Sequence, residues 1–206
     1  MNTRTLAVLY CAAMTCLAGC GFIPEQIKLE YNQAAGVSQI AGANNVSVNV
    51  QVTDQRQDKS KVSSKKDMYG IELAAVTATE DVAVTIRKAI QQELQARGFQ
   101  LSSDTAHVKI VTELTRFYND LNPGFFLGDA VAELNMGVAV KGQKGTQLYS
   151  RQIVAQGIEP NIIFASGNNA KIALDRALEK SLRVLFEDKE FLSALVASSG
   201  GMSGAK

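Results

Sequence analysis

The chain has 206 residues, with Lys and Arg totalling 21 against 20 Asp and Glu, a net charge of +1; 46% of it is hydrophobic and 20% charged. This is globular composition, and it excludes a disordered chain, a collagen-like repeat and a strongly basic nucleic-acid binder. Tryptophan is absent, histidine occurs once (His107), and the three cysteines, Cys11, Cys16 and Cys20, all fall in the first twenty residues.

Arg4 precedes a largely apolar run from Leu6 to Leu17. A bilayer core of about 30 Å needs about 20 apolar residues, so this run is too short to span it; it has the charge-then-apolar layout of a secretory signal. It closes on Leu17-Ala18-Gly19-Cys20, which resembles the lipobox of bacterial lipoproteins. The resemblance implies a signal peptide over residues 1–19 and cleavage before Cys20. It further implies an S-diacylglycerol on the Cys20 thiol and an N-acyl chain, such as palmitate, on the new amino group. Several acyl chains on one residue hold a protein to a membrane without spanning it. With Cys11 and Cys16 removed and Cys20 lipidated, the mature chain has no free thiol and no disulfide, so its stability must come from a core. Gly21 follows the cysteine where enterobacterial lipoproteins retained at the inner membrane carry aspartate. That implies the outer membrane of a Gram-negative bacterium, on its periplasmic side.

Residues 20–44 lack sustained periodicity and are expected to tether the anchor to a single domain over 45–197, with 198–206 a Ser/Gly-rich flexible tail. Val46, Val48, Val50 and Val52 alternate with Ser47, Asn49, Gln51 and Thr53, the pattern of a half-buried strand. Gly70 to Val76 reads as a short edge strand. Thr77-Ala78-Thr79-Glu80 offers a capping box for a helix whose stripe is Val82, Ile86, Ile90 and Leu94, with Gly98 as its left-handed stop. Val108, Ile110, Thr112 and Leu114 mark a second alternating strand, and Leu134, Met136, Val138 and Val140 a third. After the turn at Gly142–Gly145, Tyr149, Arg151, Ile153 and Ala155 mark a fourth. A second helix begins near Asn168 or Asn169 with Leu174, Leu178, Leu182 and Leu185 as its stripe. The charged run 187–190 then separates a short helix carrying Phe191, Leu192 and Leu195.

This order predicts an α+β two-layer sandwich: a mixed, mostly antiparallel sheet of four to five strands with two main helices on one face. The first strand and the one at 108 pair in parallel through a right-handed crossover, and the later strands form hairpins.

The lipobox-like cysteine, the strand ending Val52-Thr53-Asp54-Gln55-Arg56 and the helix closing Gln95-Ala96-Arg97-Gly98-Phe99 together resemble the YajG family of uncharacterised outer-membrane lipoproteins, from about Val46 to about Phe191. The resemblance implies location and fold, and no catalytic residue.

Asp54 and Arg56 lie two apart and share a side if the strand continues that far; they form either a small anion-binding site or an ion pair that ends the strand. His107 has no second imidazole or cysteine to complete a zinc site, and no Gly-x-Ser-x-Gly elbow accompanies it, so neither a metal nor a catalytic triad is expected. Arg56, Lys59, Lys61, Lys65 and Lys66, diluted by Asp54, Asp58 and Asp67, read as a solvated, mobile loop rather than a lipid-headgroup patch. In Asn122–Asp129, Phe125, Phe126 and Leu127 are the candidate partner-binding residues. They either fold back to plug the core or form an exposed tip suited to a partner, a lipid or a second copy.

Apart from the covalent lipid no cofactor is expected, and neither is nucleic acid. The expected partners are outer-membrane lipid, through the anchor, and an envelope protein. The reading is therefore a non-enzymatic interaction module of the cell envelope. The alternative is a lipid or glycolipid binder using the open sheet face, and a cell-wall hydrolase would need an activated nucleophile or paired acids that nothing in the sequence nominates.

Overall fold

Alternation does what a half-buried strand requires: Val46, Val48 and Val50 are buried while Gln51 and Thr53 are exposed. The computed structural model describes residues 23–67, 69–103, 106–122 and 127–197. Strands β1 (Glu25–Ile27), β2 (Ser47–Asp54), β3 (Ser63–Lys66) and β4 (Glu72–Ala78) precede helix α1 (Val82–Ala96). Strands β5 (Gln100–Leu101), β6 (Val108–Asn122), β7 (Gly128–Gly142) and β8 (Gln147–Ile162) precede helices α2 (Gly167–Phe186) and α3 (Lys189–Ala197).

β6 organises the sheet. Along one edge it pairs antiparallel with β7 over its whole length, from Val108 opposite Gly142 to Asn122 opposite Asp129, and β7 continues into β8 as a second hairpin. Its other edge is divided. The first half takes β2 in parallel, from Val48 opposite Val108 to Asp54 opposite Leu114. Farther along, Ser63 of β3 sits beside Asn119. β4 pairs antiparallel with β3, and β1 lies parallel to β4. The parallel pairing of β2 with β6 and the two hairpins match the expected topology, but among the described residues the sheet has eight strands where four to five were expected.

The inward residues of β2, β6, β7 and β8 form one core with the stripes of α1 and α2. Val82, Ile86, Ile90 and Leu94 are buried as expected, and so are Leu174, Leu178, Leu182 and Leu185. Helix ends follow local chemistry. Gly98 adopts φ 92°, its amide donates to the Gln95 carbonyl and that of Phe99 to the Leu94 carbonyl, which is a Schellman closure with Phe99 buried behind it. At the other end the expected capping box is displaced. Thr77 and Ala78 belong to β4, and Asp81 caps α1 by accepting from the Ala83 amide at 2.7 Å. Ser166 caps α2. Glu187 and Asp188 do separate α2 from α3, and Asp188 accepts from the Glu190 and Phe191 amides.

Residues 23–44, within the stretch expected to be a tether, lie along the domain: β1 joins the sheet and Ile27, Leu29 and Ala43 are buried. Two further expectations are corrected. The strand expected at Gly70–Val76 is not an edge, because β4 lies between β1 and β3. The lysine-rich segment is not a solvated loop throughout, because Ser63–Lys66 is a strand in which Ser63, Ser64 and Lys65 are buried. The expected signal peptide over 1–19, Cys20 and the expected tail over 198–206 lie outside the described residues, as do Phe125 and Phe126.

Candidate functional site

Asp54 ends β2, and two residues later Arg56 folds back across it. The Arg56 backbone amide donates to Asp54 Oδ1 at 3.0 Å; its Nε donates to both carboxylate oxygens, and Nη2 to Oδ2 at 2.8 Å. Nη1 donates to the carbonyls of Lys61 at 3.2 Å and Phe117 at 3.3 Å. Arg56 is buried. Burial alone would raise the Asp54 carboxyl, but the bonds from Arg56 outweigh it and hold Asp54 below its ordinary value. Both residues line an open cleft of about 480 Å³ with Lys59, Lys61, Thr79 and Asp81. The guanidinium is turned onto its own carboxylate and the β6 backbone, which makes it a clasp between β2, the β2–β3 loop and β6.

Three other lysines of this region are placed likewise. Lys61 pairs with Glu72 and Lys66 with Asp120. Lys65, buried, pairs with Glu25 and donates to the Ile23 carbonyl at 3.1 Å. Glu25 in turn accepts from the Gly167 amide at 2.7 Å, and chiefly through Lys65 its carboxyl is held below its ordinary value. One carboxylate thus joins β1, β3 and the start of α2. Sequence reading missed this junction, because Glu25-Gln26-Ile27 is too short to show a period.

His107 Nδ1 accepts from the Ser47 amide at 3.0 Å and lies 2.8 Å from the Ser47 hydroxyl, while the His107 amide donates to that hydroxyl at 3.0 Å. The imidazole aligns the starts of β2 and β6. Among the described residues no group of three or more His, Cys, Asp or Glu is placed to hold a metal.

At the end of the sheet bearing β5, Asp188 accepts from the Tyr149 hydroxyl at 2.8 Å and from Arg151 at 2.6 Å. Burial and the Asp188 carboxylate push the Tyr149 hydroxyl up to about 12. Phe191 packs edge-on to Tyr149 and Phe186 at 5.4 Å each, so this cluster fixes α3 to the sheet.

Leu127, the described member of the apolar loop, is exposed. It has company that the sequence reading did not assemble. The turn after β3 presents Tyr69 and Ile71, and the link from β8 to α2 presents Ile163 and Phe164, all exposed. The available signals were Asp67-x-Tyr69-Gly70-Ile71, a turn sequence with apolar shoulders, and Ile162-Ile163-Phe164 between Pro160 and Gly167.

A family model described as uncharacterised lipoprotein, Lipoprotein_16, matches residues 33–195. The chain belongs to this family. No curated protein matches the sequence significantly. The chain is similar to a solved protein of the DUF330 family from Xanthomonas campestris: 10% identity, 85% of this chain and 94% of that one covered, TM-score 0.52. It is also similar to a protein from Caulobacter crescentus CB15 named provisionally as a lipoprotein, at 11% identity, 75% and 93% coverage and TM-score 0.47. A minor lipoprotein from Acinetobacter baumannii matches at 11% identity, 68% and 89% coverage and TM-score 0.38. Among the described residues no helix of this Lipoprotein_16 member is long and apolar enough to cross a membrane.

Proposed function

We propose that this lipoprotein is of the YajG kind, lipid-anchored through Cys20 to the periplasmic side of the outer membrane, and that its domain is a non-enzymatic interaction module of the envelope. One observation carries the reading: the polar groups that the sequence nominates for chemistry are engaged in holding strands together. Arg56 is engaged by Asp54 and two carbonyls, and His107 Nδ1 by Ser47. A surface available to a partner is the open face of the sheet, where Val154, Ile158 and Leu148 project from β8, which among the described residues pairs with β7 alone.

Photo-crosslinking from position 154 in intact cells tests this. The expected result is a discrete adduct with one envelope protein, abolished when Ile158→Asp is added. Absence of an adduct from positions 148, 154 and 158 alike removes the open face from the account, and turnover of a cell-wall fragment by the purified domain overturns the non-enzymatic reading.

A further inference from the structure

Strand directions bring the exposed apolar residues together. β6 ends at Asn122 and β3, parallel to it, ends at Lys66, so the β3–β4 turn lies at the same end of the sheet as the β6–β7 connection. β8 ends there too, with Ile162 opposite Gly128. β1 begins there, because Glu25 is opposite Val76 and Val76 opposite Ser63. Nine large hydrophobic residues are exposed among the described residues, and six of them are at this end: Ile23, Tyr69, Ile71, Leu127, Ile163 and Phe164. Tyr69 is 82% exposed and Phe164 79%.

The loops that hold them out are built. Asp67 Oδ1 accepts from the amides of Tyr69 at 2.9 Å and Ile71 at 2.8 Å, and Gly70 takes φ 81° to close the turn. Asn169 Nδ2 donates to the Phe164 carbonyl at 2.8 Å, and Asp129 accepts from the amide of Asn161, which is itself left-handed at φ 60°. A soluble surface gains nothing from bracing apolar side chains toward water, whereas an aromatic-bearing rim braced outward suits the interface of a bilayer.

The position of Ile23 says what covers this end. Its carbonyl is held by Lys65, and three residues of extended chain, about 11 Å at most, separate it from Cys20. Resting on the lipid anchor proposed above, we infer that the apolar end is a membrane-docking surface: the loops at 69–71 and 163–164, with Leu127, sit in the headgroup layer of the leaflet that holds the acyl chains. The strands then stand steeply on the membrane, and the open face is presented sideways.

The absence of tryptophan gives a clean test. The mature lipoprotein, purified from membranes as Tyr69→Trp, Phe164→Trp or Leu148→Trp, is reconstituted into vesicles of phosphatidylethanolamine and phosphatidylglycerol with brominated acyl chains. Leu148 is at the opposite end of β8. Blue-shifted, quenched emission at positions 69 and 164 but not at 148 is the expected result. Retention of the lipidated protein on vesicles with no quenching at 69 or 164 overturns the docking surface while leaving the anchor intact. Emission that is shielded in detergent as the protein concentration rises, and indifferent to bromine, assigns this end to a second copy and also overturns it. A mature protein whose mass shows no acyl chains removes the anchor, and the inference with it.

Discussion

Each nitrogen of Arg56 has a partner inside the fold, and its carboxylate partner is nearly as enclosed: the two side chains are 5% and 11% exposed. Removing one member of such a pair leaves the other charged and poorly solvated, which costs about 3 kcal/mol or more. Arg56→Ala is therefore expected to lower the stability of the purified domain by about that much in urea unfolding. The pH dependence has a definite sign. Because Asp54 is held below its ordinary value, the pair contributes in full above the normal carboxyl range, about 3.9, and is lost as pH falls through the lower folded value. Melting temperature measured from about pH 6 down to about pH 2, through and below the ordinary carboxyl range, should fall less steeply in Asp54→Asn than in the native chain. Equal slopes would contradict the assignment. The Asp54–Arg56 pairing was legible from spacing at a strand end. The link to the Phe117 carbonyl was not, because it depends on β6 running on past Leu114.

That extension shows why elements were harder to read than residues. Between Leu114 and Arg116 the pairing of β6 with β7 shifts at a bulge, which inserts a residue and changes the phase of the alternation. Inward positions 108, 110, 112 and 114 give way to 117 and 119, so a strict period of two stops where the strand does not. β3 was invisible for another reason. Ser63-Ser64-Lys65-Lys66 has no apolar face, and its burial is satisfied by Asn119, Tyr118 and Glu25. Close helix packing left a fainter trace. A Cβ on Gly157 of β8 would overlap the Ala173 carbonyl oxygen and the Ala177 nitrogen, so α2 lies directly on the strand there, flanked by Ala130, Ala132 and Ala170. Gly157→Ala is expected to cost at least the upper end of about 1–3 kcal/mol, since only a backbone shift relieves the overlap. Gly142→Ala, whose Cβ meets only ordinary contacts, should stay within about 0.5 kcal/mol. At β1, Lys65→Met removes the partner of Glu25, and residues 25–31 should then exchange their amides faster than the rest of the sheet. Unchanged protection of 25–31 would show that β1 does not depend on the Lys65 contact.

On the scale of the whole molecule, two long hairpins and a parallel crossover were readable because their apolar faces are regular, and they set the two-layer arrangement. What was not readable is which loops meet, since the grouping of residues 23, 69–71, 127 and 163–164 at one end follows from strand directions and not from sequence neighbourhood. Because Ile23 and β1 are tied to the sheet by Lys65 and Glu25, the anchor proposed at Cys20 would hold the domain close to the membrane rather than on a long leash. Cys20→Ser should therefore release the whole domain from envelope fractions while leaving its melting temperature unchanged, because nothing in the described core depends on the anchor. The most direct measurement is the intact mass of the protein extracted from membranes. The account predicts a chain that begins at Cys20 and carries the mass of a diacylglyceryl group and one further acyl chain. An unacylated chain, or one beginning at any other residue, would contradict it.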